Sequence, residues 1–338
     1  MAITDIITPT WLKSNYLFGI DLTDDDGNAY PDSLYQIAID AATGIIAAEF
    51  DIELLGPNRY MERHDTFPEH GNSFYLMTLM HRPLITVEAF NVKFGEWPQR
   101  ELPVRWIQQS NPEHSQIQVV PGPEGVDGVL YSGGVPFVGI SGLEFRDYTP
   151  LWWMFTYTAG FECDMSGTVS VAAGETSVTG ASTKFLGESI EVKDSTYGGI
   201  ANKPGARAGY YLRIGAGNTP VRIKSVTNDT TLVLDGTINS GAEISGSTAT
   251  LLYYPPEVMD CVGLIASMLP LDTAGDLIIG AGISRLNLGV DGLHQEIQTT
   301  SGVENSGYGA RVIQYRRRLA MQIAALRRRY RQNKIMVM

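Results

Sequence analysis

Cysteine is almost missing from this sequence: Cys163 and Cys261 are the only two in 338 residues, with no CxxC spacing and no histidine beside either. That excludes a disulfide framework and a thiolate metal site, and makes a reducing compartment the expectation. Histidine is scarce too. The five present (His64, His70, His81, His114 and His294) form no HExxH and no pair at helical spacing, so no metal site is expected and solvated or structural histidine is the simpler reading. No run reaches about 18 uninterrupted apolar residues. Met1 to Trp11 lacks a basic segment followed by an apolar one, so neither a membrane span nor a signal peptide is expected, and the chain reads as a soluble protein made in the cytosol. Charged residues make up only 18% against 43% hydrophobic, with 36 Gly and 17 Pro, a composition that suits a β-rich globular protein with many turns and some helix. At about 150 residues per domain the length predicts two or three domains.

The usual chemical signatures are missing or broken. Ile279-Gly280-Ala281-Gly282-Ile283-Ser284 starts like a dinucleotide loop, but Arg285 stands where the third glycine belongs. Gly139-Ile140-Ser141-Gly142 has the wrong spacing for a nucleophile elbow. No Walker A sequence occurs, and the acidic run Asp24-Asp25-Asp26-Gly27-Asn28 would put Leu22 and Ser33 at the ends of a calcium loop, where ligands are required. Glu62, His64, Asp65, Glu69 and His70 form the best carboxylate and histidine set, in a stretch that reads as a polar, turn-rich loop. No cofactor is expected, and the chain does not read as an enzyme.

Charge is what stands out instead. Net charge is −12, yet Arg311 to Met338 holds nine of the 25 basic residues and no acid, leaving 16 bases against 37 acids, or −21, in residues 1 to 310. The triplets Arg316 to Arg318 and Arg327 to Arg329 sit eleven residues apart, close to three helical turns. Val312, Tyr315, Leu319, Ile323, Leu326 and Tyr330 follow a 3, 4, 4, 3, 4 spacing, which predicts an amphipathic helix with an apolar face and guanidinium groups around the rest. With no acid at i+4 inside the segment, the arginines read as docking forks for carboxylates on a partner or on the acidic body of the protein. Phosphate contact with DNA is the runner-up, since a body at −21 repels a polyanion.

Leu34, Ile37, Ala41, Ile45, Ala48 and Ile52 predict a helix over 31–52. Short β-favouring runs follow at 74–79, 84–94, 103–108 and 116–120, and the aromatic run Trp152, Trp153, Phe155, Tyr157 predicts a buried strand. Between Gly167 and Tyr254 the composition turns to Ser, Thr, Gly and β-branched residues, with strands predicted at 168–171, 189–192, 210–214, 221–226, 231–234 and 249–253. Helical pattern returns at Pro255-Pro256-Glu257, with Val258, Val262, Ile265 and Leu269 on one face. The fold class expected is α+β. Residues 1–165 and 255–338 form a helical domain with antiparallel strands, interrupted at 166–254 by an inserted all-β module, a small sandwich or barrel.

Several of these segments, in this order, resemble the head-tail adaptor (connector) proteins of tailed bacteriophages: the helix Tyr35-Gln36-Ile37-Ala38-Ile39-Asp40-Ala41-Ala42-Thr43, the strand Tyr75-Leu76 leading to Arg82-Pro83-Leu84-Ile85-Thr86-Val87, Trp153 to Phe161, Pro256-Glu257-Val258, Gly289-Val290-Asp291-Gly292-Leu293 and Gly307-Tyr308-Gly309-Ala310-Arg311. No single motif is specific; the order over most of residues 30 to 320 carries the likeness. Residues 165–254 depart from the family's short forms, and with Gly167 to Val171, Val178-Thr179-Gly180 and Val226 to Leu232 they are similar to small β modules of phage virion proteins.

The resemblance implies a structural virion protein at the neck. It would form a homo-oligomeric ring of about twelve copies beneath the portal, bridging capsid vertex and tail, and would meet the portal protein and a tail or neck completion protein. Duplex DNA would pass through the channel without sequence-specific binding, and no membrane would be involved. Portal docking would fall to Arg327, Arg328, Arg329, Tyr330, Arg331, Lys334, Ile335, Met336, Val337 and Met338. Ring packing would fall to Leu34, Ile37, Ala41, Ile45, Trp152 and Trp153. The alternative reading is a neck or collar protein whose inserted module binds fibres or a host glycan.

Overall fold

The computed structural model describes residues 3–20, 22–24, 26–66, 75–92, 100–119, 149–192, 199–238, 241–279, 285–290, 293–298 and 308–330. The fold mixes α-helices with antiparallel sheets, and the chain divides into two compact units, 51–254 and 2–50 with 255–338.

The second unit is built from both ends of the chain. Helix α1 (Pro9–Asn15) starts where Thr8 Oγ1 accepts the Trp11 N–H at 3.2 Å and Pro9 takes the first turn, the pairing of side-chain cap and N1 proline that favours a helix start. Helix α2 (Asp32–Phe50) follows, then from the far end of the sequence α3 (Pro256–Ile279) and α4 (Gly309–Tyr330). Among the α4 residues predicted to face inward, Val312, Leu326 and Tyr330 are buried and Tyr315, Leu319 and Ile323 are partly so.

Helix α2 differs from expectation. Its buried face is Tyr35, Ala38, Ile39, Ala42, Thr43, Ile46 and Phe50, whereas Ile37 is 64% and Ile45 56% exposed, Ala41 and Ala48 are exposed and Leu34 is half-buried. The helix is apolar on both sides, so periodicity identifies two stripes and cannot choose between them; the one carrying the aromatic ends, Tyr35 and Phe50, packs inward. Helix α3 is buried nearly all round, and Leu269, expected on its inner face, is 46% exposed. Gly263 of α3 has a packing reason: a Cβ there would lie 2.4 Å from Tyr16 Cε2 and 3.1 Å from Trp11 Cζ3.

In the first unit, β1 (Asn58–Thr66), β2 (Tyr75–Thr78), β3 (Leu84–Val92), β4 (Arg100–Leu102), β5 (Ile107–Asn111), β6 (Gln116–Val119) and β7 (Thr149–Ala159) form two antiparallel sheets, ordered β1-β7-β3-β4 and β2-β6-β5. They share a core of Phe90, Trp106, Ile117, Phe155, Tyr157 and their neighbours. Glu62, His64 and Asp65, expected in a polar, turn-rich loop, belong instead to the edge strand β1. Its partly buried Tyr60, Glu62 and His64 alternate with exposed Arg59, Met61 and Arg63, a strand period that polar residue types concealed.

The chain then continues through β8 (Glu162–Asp164), β9 (Thr168–Val171), β10 (Ser177–Ala181), β11 (Glu188–Val192), β12 (Gly199–Lys203), β13 (Tyr211–Ile214), β14 (Val221–Asn228), β15 (Thr231–Leu234), β16 (Ile244–Ser247) and β17 (Ala249–Leu252). Eight of these make one antiparallel sheet, ordered β16-β9-β10-β15-β14-β13-β17-β8. Val171 of β9, Val178 of β10, Leu212 of β13 and Leu251 of β17 belong to one buried cluster around Phe185. A flat sheet could not bring them together, so the sheet curls around its own core, helped by register shifts in β14 at Ile223/Ser225 and Val226/Asn228. The remaining pair, β11 and β12, is a separate hairpin whose second strand approaches β3 and β5. A further hairpin, β18 (Arg285–Val290) with β19 (Leu293–Gln298), lies in the part of the chain assigned to the second unit.

Two glycine substitutions separate the two kinds of helix position. Gly263→Ala is expected to cost about 1–3 kcal/mol by overpacking, whereas Gly44→Ala in α2, where a Cβ meets nothing within 4 Å, is expected to add about 1 kcal/mol through helix propensity. Urea midpoints at unchanged slope would read both.

Candidate assembly surface

The basic helix α4 carries seven arginines and no acid, and tertiary partners divide those arginines into two groups. Asp260 on α3 is the centre of the first. Its carboxylate, 12% exposed, accepts Arg318 Nη2 at 2.6 Å and Nε at 3.1 Å, Gln322 Nε2 at 3.0 Å and the Tyr16 hydroxyl at 2.5 Å. One side chain thereby ties α3 and α4 to the end of α1. Burial first, and then the hydrogen bond to Asp260, pushes the Tyr16 hydroxyl far above the ordinary phenol range, so it stays a donor. Arg327 donates to Glu49 of α2 at 3.0 and 3.2 Å, and Arg329 reaches Glu257 of α3 at 3.5 Å. Arg311 donates to the Tyr315 hydroxyl at 3.0 Å, and that hydroxyl donates to the Tyr16 carbonyl.

This corrects the docking set. Arg327 and Arg329 are engaged inside the chain, and Tyr330 is fully buried with its ring 6.2 Å from that of Phe50. Arg328 is exposed and holds only the Ala324 carbonyl, at 3.4 Å. Arg331, Lys334, Ile335, Met336, Val337 and Met338 lie outside the described residues. Arg316 and Arg317, which the docking set did not include, are exposed and have no ion-pair partner among the described residues.

The ring-packing set divides as well. Leu34, Ile37, Ala41 and Ile45 form the outward stripe of α2. Trp153 does not belong to a surface: it is 3% exposed and stacks on Phe90 at 5.3 Å in the strand core. The side chain of Trp152 lies outside the described residues.

Within the carboxylate and histidine set, Glu62 and His64 form part of a polar clamp. Glu62 accepts the Tyr157 hydroxyl at 2.6 Å and the Met80 N–H at 3.0 and 3.1 Å, and His64 Nε2 lies 2.8 Å from its other oxygen. The Tyr157 hydroxyl in turn accepts the His81 N–H at 3.1 Å, the His81 ring stacks on Tyr60 at 3.7 Å, and Tyr60 donates to Glu53. Burial opposes ionisation of Glu62, but the bonds from His64, Tyr157 and Met80 outweigh it and hold its carboxyl below the usual glutamate value. Asp65 belongs to β1, and Glu69 and His70 lie outside the described residues.

Both cysteines are buried and free, and burial followed by the charges of Asp260 and Glu257 pushes the Cys261 thiol up to about 12. The acidic loop closes on itself: Asp24 accepts the N–H groups of Asp26 at 3.0 Å and Asn28 at 2.8 Å, bonds that lower its carboxyl, with Asn28 the main cause. Among the described residues no group of three or more His, Cys, Asp or Glu could hold a metal, and no helix is long and apolar enough to cross a membrane. No protein-family model and no curated protein matches the sequence.

Two acids can be tested separately. Asp260→Ala, which leaves Arg318, Gln322 and Tyr16 without their acceptor, is expected to lower stability by about 2–3 kcal/mol in urea unfolding. For Glu62 the folded-state value lies below the unfolded 4.5, so its contribution is complete above that pH and is lost as pH falls through the folded value. Glu62→Gln is therefore expected to flatten the acid limb of the stability curve while costing most near neutrality.

Proposed function

We propose that this chain is a structural virion protein of a tailed phage, an adaptor ring at the head-tail interface that bridges the portal vertex and the tail and surrounds the DNA channel. In this reading residues 1–165 and 255–338, helices and antiparallel strands together, are the adaptor domain, and residues 166–254 are an insert within it. The segments that carry the resemblance support this by where they fall: Tyr35 to Thr43 on α2, Arg82 to Val87 running into β3, Trp153 to Ala159 on β7 and Pro256 to Val258 opening α3.

The observation that carries the proposal is the outward stripe of α2. Ile37 and Ile45, each more than half exposed, form with Leu34, Ala41 and Ala48 a continuous apolar band on a helix whose other side is already packed. Contiguous exposed apolar surface of this kind marks a protein contact. A ring supplies that contact from identical copies. The role needs no catalytic residue and no cofactor, and an acidic body would keep the duplex from adhering to the channel wall.

Truncation after Gln314 would remove the buried Leu326 and Tyr330 and unfold the helical unit, so portal docking is better tested by deleting residues 331–338, which spares α4. Electron microscopy of the full chain should show rings with a hole near the width of a duplex. The deletion should keep the rings and lose recovery of the complex with the portal protein; a full chain that forms no ring would refute the assignment.

A further inference from the structure

The outward stripe of α2 is not the only unpartnered helix face. On α4, Arg317, Ala320, Met321, Ala324 and Arg328 share one face, opposite the buried Val312, Leu326 and Tyr330. Met321 is 68% exposed and the alanines are exposed. A short apolar patch thus lies between two guanidinium groups about 16 Å apart along the axis. The face contains no acid.

The α2 face has the opposite character. It carries Asp40, exposed at its flank and bonded only to Gln36, and no base. Residues 2–50 as a whole hold eight acids and one lysine. In the middle of this face stands Gly44. Glycine inside a helix costs about 1 kcal/mol relative to alanine, and here, beyond the helix's own backbone, none of the described residues comes within 4 Å of where a Cβ would be. Nothing inside the molecule therefore requires a glycine, but a helix arriving from outside would, because Ala41, Gly44 and Ala48 form a shallow groove between Ile37 and Ile45. Met321, flanked by Ala320 and Ala324, has the shape to fill such a groove, as ridges of one helix fill grooves of another.

Charge and shape both match, and both faces are outward on the same chain, so the chain cannot satisfy one with the other. We infer that the outward face of α4 in one copy docks on the outward face of α2 in the next, with Met321 over Gly44 and one of Arg317 and Arg328 against Asp40. The contact is head to tail, so each copy uses both faces, and the series forms a ring when the rotation between copies closes. It rests on the ring reading above and identifies the surfaces that build the ring, distinct from the end of the chain assigned to the portal.

Two full-length variants test it. Gly44→Leu fills the groove at an exposed helix position that tolerates leucine, and Arg317→Glu with Arg328→Glu reverses the charge of the other face. Circular dichroism and thermal unfolding should show both folded as the wild type. In sedimentation velocity over a concentration series, each alone should lose assembly by about tenfold or more in dissociation constant. Mixed together they should form a one-to-one dimer and nothing larger, because each retains the face the other lacks. Asp40→Arg should weaken wild-type assembly and restore part of it to the double glutamate variant.

Wild-type assembly by either variant, or a mixture that stays monomeric, overturns the inference, and so does a wild-type chain that never self-associates. Loss of binding to a duplex DNA probe with unchanged assembly would make α4 a phosphate-binding face and also overturn it. If instead the mixing result holds but the rings bind no portal protein, the docking faces stand and the adaptor assignment falls.

Discussion

The helical unit depends on one carboxylate placed where three segments distant in sequence converge. Asp260 on α3 takes hydrogen bonds from Arg318 and Gln322 on α4 and from Tyr16 at the end of α1. Its 12% exposure keeps water from competing for those donors, and hydrogen bonds to an ionised acceptor are roughly twice as strong as neutral ones. The arrangement sets the rotation of α4 about its axis: with Arg318 turned to α3, Leu326 and Tyr330 face inward and Arg317 and Arg328 face out. Arg327 to Glu49 and Arg329 to Glu257 reinforce that rotation at the far end of the helix.

The basic helix therefore does two jobs with one residue type. Some guanidinium groups close on acids of the same chain, and Arg316 and Arg317 have no acid within reach among the described residues. A net charge for the segment cannot express that division. The same unit presents an apolar face on α2 where an exposed helix surface would ordinarily be polar.

The two helix faces were unequally legible. In α4 one long apolar stripe, from Val312 to Tyr330, stands out against arginine and glutamine, so its period identifies the inward side. In α2 alanine and isoleucine occur all round, and the better-spaced stripe, Leu34 to Ala48, is the outward one. Strand β1 was hidden because its inward residues are Tyr60, Glu62 and His64, polar types buried through hydrogen bonds to Tyr157, Glu53 and Met80. Helix α1 was not anticipated: Thr8 and Pro9 at its start are a capping signal, but its seven residues are too few to show a period. The strands at 168–171 and 231–234, alternating and bounded by turn residues, lie where their pattern places them.

From the sequence alone came the segregation of charge between the body and the last helix, the inward face of α4, the absence of recognisable catalytic motifs and the mixed α and antiparallel β class. These follow from residue types and spacings along one stretch of chain. Only the tertiary structure decided which arginines remain free, which side of α2 is buried, and that Glu62, His64 and Tyr157 form a closed clamp. Each of those depends on a neighbour tens to hundreds of residues away, and periodicity, which states which side chains share a face, carries no information about what that face will meet.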